Sequence, residues 1–271
     1  MIESQKYVLG QSEQAARRLQ IQDAHFGETS ELLLDDVAIQ PKDRIVELGC
    51  GPGGFSKRIL QRLGPDGVLL GVDYTEGLLD QACAGLADKR FQPVLADVSK
   101  LGPWLNGASV VVGRAMLHHI PMVEFMLGRL RTILPKGVRV GFIEPDFRSP
   151  LARLAYLENT GRPELAPLRY WAIAINNLYL ANRLSPGVGA TLAQTLATAG
   201  FRNVRSGWSE CRSDNLMIEN MIMFYEEVND QLQALGILTA AQMEEQCTQL
   251  RALNPTSLPA AWGIYRVACE T

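Results

Sequence analysis

An excess of basic residues, paired cysteines and long apolar runs are all missing from this sequence of 271 residues. Lys and Arg number 26 against 29 Asp and Glu, a formal net charge of -3, so the clustered positive field that a phosphate backbone demands is lacking and nucleic acid is excluded as an expected partner. The five cysteines are odd in number and scattered, with no CxxC spacing. That excludes a disulfide framework and a zinc site, leaves no metal expected, and points to a reducing cytoplasm. No apolar run reaches the ~18 residues of a membrane span, and Met1 to Gly10 has neither the basic start nor the apolar core of a secretory signal. No repeat or low-complexity tract is visible. The expectation is a cytoplasmic protein without a membrane partner, a monomer or homodimer, whose 47% hydrophobic residues suffice for a sizeable core.

What is present is an alternation. Between residues 44 and 144, short apolar runs at Arg44 to Leu48, Val68 to Val72, Phe91 to Ala96, Ser109 to Gly113 and Val138 to Glu144 read as strands, with helical patterns between them. Runs apolar on both faces predict a parallel sheet covered by helices on each side, an α/β doubly wound class. Ser12 to Ala38 reads as two amphipathic helices separated by Gly27, with Thr29 or Ser30 capping the second, a lid over residues 1–40. Pro150 to Ala199 is helical, broken at Gly161-Arg162-Pro163 and Ser185-Pro186-Gly187, and its part 150–185 is a cap inserted into a core of 41–149 and 186–271. Val204 to Cys211 and Trp262 to Cys269 read as an antiparallel strand pair, with helices at 214–235 and 239–252 between them.

Directly after the first strand, Val46-Glu47-Leu48-Gly49-Cys50-Gly51-Pro52-Gly53-Gly54-Phe55 sets a glycine turn before a helix, the context of a nucleotide site. Gly49, Gly51 and Gly54 fit the GxGxxG of a dinucleotide enzyme, with Asp73 at the ribose distance. Gly49, Gly51 and Gly53 fit GxGxG equally well. Glu47 weighs for the second reading, because a carboxylate there suits an ammonium group and sits badly beside pyrophosphate. Asp73 and Asp97 end the second and third strands, where open α/β sheets bind ligands, and a carboxylate at the first can take both ribose hydroxyls. Tyr74 can pack on adenine, and Arg114, after the fourth strand, can face a carboxylate.

On Val46 to Gly53, Gly71 to Tyr74, Leu95 to Val98, Arg114 to Ile120 and Leu134 to Glu144, the chain resembles the class I S-adenosylmethionine-dependent methyltransferases, in particular the small-molecule branch that includes the ubiquinone and menaquinone C-methyltransferases. The resemblance spans about residues 40 to 145. It implies a Rossmann-like, mostly parallel seven-stranded sheet of order 3-2-1-4-5-7-6 with an antiparallel last strand. It also implies S-adenosyl-L-methionine as cofactor, S-adenosyl-L-homocysteine as product, Gly49, Gly51 and Gly53 around it, Asp73 on ribose, and Asp97 with Val98 at the adenine. Arg114 departs from the small or amide residue common at its position.

Methyl transfer is an in-line displacement in which alignment supplies much of the rate, and a base is needed only for a protonated nucleophile. Of the three histidines, His118 and His119 adjoin beyond the fourth strand and are the candidate bases; a structural role for the pair in its loop is the competing reading. Glu144 and Asp146, ending the fifth strand, point to the same edge, either as catalytic and substrate groups or as anchors of the loop, with Arg148 an alternative partner for Asp146. Tyr7 and His25 are lid candidates, for cofactor and substrate respectively. Tyr170, Asn176 and Tyr179 on the insert are candidate substrate contacts, although aromatic residues at helical spacing are more often core. The Met217, Met221, Met223, Phe224 and Tyr225 helix reads as space-filling. The leading expectation is methyl transfer to an oxygen, nitrogen or carbon of a small metabolite. An NAD-dependent oxidoreductase, and a methyltransferase-like binding protein or cyclase without methyl transfer, remain the alternatives.

Overall fold

Seven strands form one sheet in the order β3-β2-β1-β4-β5-β7-β6: β1 (Arg44–Leu48), β2 (Val68–Asp73), β3 (Phe91–Leu95), β4 (Val110–Arg114), β5 (Arg139–Asp146), β6 (Arg202–Cys211) and β7 (Trp262–Glu270). This computed structural model describes residues 13–211, 213–260 and 262–271, and Tyr7 lies outside them. The first five strands pair in parallel, whereas β7 runs antiparallel to both neighbours, β5 and β6. Each parallel step needs a crossover; α2 (Gly54–Arg62), α3 (Glu76–Leu86) and α4 (Val123–Ile133) supply three of the four, and the fourth, from β3 to β4, runs through two short 3-10 turns, Val98–Lys100 and Pro103–Leu105.

Alternation along the central strands divides the core. Ile45, Val110 and Val112 face a layer built from α1 (Glu13–Asp36), α2 and α3, while Val46, Leu48 and Val111 face α4 and α7 (Val188–Thr198). All six side chains are fully buried, which explains why these strands read as unbroken apolar runs.

The N-terminal segment differs from expectation. Residues 13–36 form one helix that passes straight through Gly27. This glycine is there for close approach: a Cβ would lie 3.0 Å from the Arg58 guanidinium, which pairs with Glu31 of the same helix at 3.0 Å. Ser30 caps nothing; its hydroxyl donates to Phe26 O one turn back, while Thr29 Oγ1 bonds Ser209 at 2.6 Å.

The helices packed together over the sheet edge are not confined to the segment 150–185, and this helical layer is made of several pieces of chain. Besides α5 (Ser149–Asn159) and α6 (Ala166–Ala181), it includes α8 (Asn215–Ala234) and α9 (Ala240–Arg251), inserted between β6 and β7. Helix α8 packs on α1, α6 and α9, so lid and cap make one helical layer above the sheet edge. Ion pairs Arg17–Glu219 and Arg18–Glu227, and a hydrogen bond between His25 and the N-cap residue Asp214, tie α1 to α8. No described helix is long and apolar enough to cross a membrane.

Candidate active site

The carboxyl ends of β1, β2 and β4 meet at the glycine turn. Gly49, Gly51 and Gly53 have φ of +68°, +52° and +90°, a left-handed path that side chains resist. Gly49 N and Cys50 N both donate to Val72 O, anchoring the turn to β2. A Cβ at 49 would lie 2.8 Å from Met116 Cβ, whereas one at 51 would meet nothing within 4 Å. Position 49 is therefore closed by the protein and position 51 open to a ligand. We expect Gly49→Ala to cost stability through both strain and clash. Gly51→Ala should cost only the ~1–2 kcal/mol of a left-handed alanine yet weaken S-adenosylhomocysteine binding at least tenfold; thermal melting and calorimetry on the two variants check the separation.

Three acids surround this turn. Asp73 is buried, and its two carboxylate oxygens accept from Gly51 N and Thr75 N, each at 2.9 Å, so it holds the turn in shape. Burial raises its pKa, and these backbone donors offset only part of the rise. Each oxygen keeps a lone pair for a further donor. Glu47 is buried with Ser56 Oγ 2.5 Å from Oε2; burial pushes its carboxyl up to about 8, against the pull of Ser56 and Arg114. Asp97 ends the next edge, half exposed, and accepts from Ser99 N and Ser99 Oγ at 3.0 and 2.6 Å, with Lys100 Nζ at 3.5 Å. Tyr74 stands exposed beside Asp73, and Val98 is buried after Asp97.

Arg114 turns toward the lid. Its Nη1 donates to Asp23 Oδ1 of α1 at 2.6 Å and to Ser30 Oγ at 3.1 Å, with the guanidinium over the Phe55 ring. Burial lowers its pKa and Asp23 opposes the change. This cation clips α1 to the glycine turn, and Asp23 is a residue the sequence alone did not single out.

Beyond β4, a turn carries His118 and His119. Glu144, fully buried, organises it: Oε1 accepts from Met116 N and Leu117 N at 2.9 and 2.7 Å, and Oε2 accepts from His118 N at 3.3 Å and from the His118 ring at Nδ1, 2.6 Å away. An acceptor carboxylate requires a proton on Nδ1, so in the neutral ring the lone pair is on Nε2. Burial, reinforced by the His118 ring, holds His119 well below the ordinary histidine pKa and therefore neutral. The two rings lie 4.1 Å apart, and Tyr179 is within 5.6 Å of both.

These three side chains line a small cavity of about 30 Å³ between α1 and the cap, with Arg18, Gln22, Phe26, Phe147, Trp171, Asn220, Phe224 and Trp262 among its walls. The remaining sequence candidates are placed elsewhere. Asp146 accepts from Arg148 N and Ser149 N at the start of α5, so its partner is the backbone rather than the Arg148 side chain. Asn176 donates to Phe147 O and Ala172 O inside the core. Tyr170 lies exposed by a separate groove between α6 and α9. His25 bridges Ile21 O and Asp214. Conversely, Phe224, read as filler, reaches the cavity with Asn220. The one sequence signal was a lone amide within the buried face of α8, beside Met217, Met221 and Phe224.

Residues 45–137 match the family model described as a methyltransferase domain, and with its 3-2-1-4-5-7-6 sheet the chain carries the class I S-adenosylmethionine-dependent methyltransferase fold. Among particular relatives, it is 31% identical over 123 residues to trans-aconitate 2-methyltransferase of Variovorax paradoxus (strain S110), covering 45% of this chain and 46% of that protein. It is 23% identical over 186 residues to aklanonic acid methyltransferase DauC of Streptomyces sp. (strain C5), covering 62% and 79%. The match thus spans under half the length of the first of these relatives. A solved S-adenosylmethionine-dependent methyltransferase of Mesorhizobium loti superposes with a TM-score of 0.52 at 18% identity, over 93% of this chain and all of that one, a likeness of fold.

Proposed function

We propose that this protein transfers a methyl group from S-adenosylmethionine to an oxygen, nitrogen or carbon of a small molecule held between α1 and the cap, releasing S-adenosylhomocysteine. The observation that supports this most is continuity: the segment that leaves β4 begins at Arg114 beside the glycine turn and reaches the Glu144-held His118 in the cavity four residues later, with Met116 packed on Gly49. Cofactor edge and acceptor cavity are therefore neighbours.

The residues present fit the cofactor. Gly51 leaves open space, the acids Glu47, Asp73 and Asp97 stand at the ends of adjacent strands, and the two cations beside them are each paired with an acid, Arg114 with Asp23 and Lys100 with Asp97. Such a set suits a phosphate-free nucleoside with a cationic tail. When bound, the cofactor supplies an electrophilic methyl group on a sulfonium. Asp73 would accept from the ribose hydroxyls, Asp97 from the adenine amine, and Glu47 would face the ammonium. His118 Nε2 is the group that takes a proton from a hydroxyl or amine acceptor, with Glu144 stabilising the resulting imidazolium. Arg18, the cationic arginine on the cavity wall, is paired with Glu227 at 2.8 Å, so the described walls favour a largely apolar acceptor over a polyanion. The dinucleotide reading of the glycines loses support from the sheet, because dinucleotide-binding folds have the order 3-2-1-4-5-6 without the antiparallel β7 between β5 and β6.

Calorimetry with S-adenosylhomocysteine and with NADH tests the proposal; saturable binding of the first and none of the second is expected, and the reverse would overturn it. The same experiment reads Glu47. Its carboxyl is mostly protonated at neutral pH in the folded protein, and an approaching ammonium favours ionisation. Binding near pH 7 should release a proton, seen as a buffer-dependent enthalpy that vanishes in Glu47→Gln. Since the unfolded carboxyl titrates at its ordinary value, the ligand-free protein binds the extra proton between about 4.5 and about 8 and loses stability as pH rises through that window.

A further inference from the structure

Two of the residues that line the cavity, Asn220 and Trp262, each carry a buried polar atom without a hydrogen-bond partner among the described residues. Asn220 is 2% exposed and its Oδ1 is unpaired, while Nδ2 has only the weak thioether acceptor Met217 Sδ at 3.7 Å. Turning the amide over would strand the other end instead. Trp262 is 3% exposed and its Nε1–H is likewise unpaired, although the neighbouring Trp171 indole donates normally to Met221 O. A buried unsatisfied group costs about 1–3 kcal/mol, and a native fold rarely sets two of them on one cavity without a partner in view. Both lie among aromatic walls that also carry His118 and His119. The Trp262 ring stacks on Trp171 at 5.2 Å and stands edge-on to Phe147 at 5.3 Å, so its position is tightly held.

We infer that Asn220 and Trp262 read the methyl acceptor: Asn220 Oδ1 accepts from a hydroxyl, and Trp262 Nε1–H donates to a carbonyl oxygen, of a neutral planar molecule lying against the aromatic walls. Neutrality follows from the Arg18–Glu227 pair, which leaves no unmatched arginine charge among the described wall residues. A space of about 30 Å³ is far smaller than a ring, so on this inference the cavity, one wall of which is Leu19, Gln22 and Phe26 of α1, has to widen when the acceptor enters. This inference rests on the methyl-transfer reading for the role of the cavity, but its test does not.

The probes are 7-hydroxycoumarin and 7-methoxycoumarin, planar carbonyl compounds that differ in one hydroxyl donor, titrated by fluorescence at about pH 6, where the phenol is un-ionised. With S-adenosylhomocysteine present, the hydroxy compound should bind at least tenfold more tightly than its methyl ether. Asn220→Leu should abolish that preference while leaving the ether's affinity unchanged, and should raise the melting temperature of the free protein, because a stranded amide is replaced by a hydrocarbon of similar size. Trp262→Phe should weaken both probes severalfold; if it does not fold, Asn220→Leu decides. Equal binding of the two probes, no binding of either, or a lower melting temperature for Asn220→Leu overturns the inference. Failure of S-adenosylhomocysteine to bind overturns the methyl-transfer reading alone, and the coumarin comparison on free protein still decides this one.

Discussion

Glu144→Ala should melt about 10 °C below the parent protein and lose methyl transfer almost completely. The carboxylate accepts from three backbone N–H groups and one imidazole N–H, all buried. Its removal strands four donors at about 1–3 kcal/mol each, partly relieved by water entering the hole, so a net cost of about 4 kcal/mol is reasonable. At roughly 2–4 °C per kcal/mol for a chain of this size, that gives the stated shift. Glu144→Gln preserves volume but turns an N–H toward an N–H, and should fall between the two. Calorimetric melting measures the first effect. Transfer of labelled methyl to an acceptor found by metabolite screening measures the second, and His118→Ala provides the comparison. A His118→Ala protein that melts normally but does not turn over would separate the base from the scaffold. Full activity in His118→Ala would end its assignment as base.

Asp73→Ala should weaken S-adenosylhomocysteine binding about a hundredfold, through two routes. The direct one is loss of charge-assisted bonds to ribose, worth about 1.5–3 kcal/mol. The indirect one is release of Gly51 N and Thr75 N, which lets the glycine turn relax away from its binding shape. Asp73→Asn separates the routes, since its amide oxygen can still accept one of the backbone bonds. Calorimetry in which Asp73→Ala bound as tightly as the parent protein would remove Asp73 from the cofactor site.

The edge at the glycine turn was more legible than the cavity beside α1 and α8, for a reason visible in particular residues. Gly49, Gly51, Gly53, Asp73 and Asp97 lie at or within a few residues of a strand's end, so once a parallel sheet is recognised their place at its carboxyl edge follows from chain direction alone. Asn220 and Trp262 have no such guide. They are separated in sequence by the whole of α9 and converge with Phe26 and His118 only when α1, α6 and α8 pack together. Side chains such as Tyr170, Tyr179 and Asn176, on one helix at similar spacing, went to an outer groove, the cavity and a backbone carbonyl respectively. Helical periodicity gives the relative angles of three side chains but not what each faces.

Local pattern and connectivity therefore determined the seven strands, the glycine turn and the acids beside it, because alternation, strand ends and left-handed glycines are properties of short stretches of chain. Tertiary structure alone decided that α1 is one helix passing through Gly27, that Arg114 grips Asp23, and that the polar atoms Asn220 Oδ1 and Trp262 Nε1 remain unpaired. Those are contacts between segments far apart in the chain, set by how helices pack.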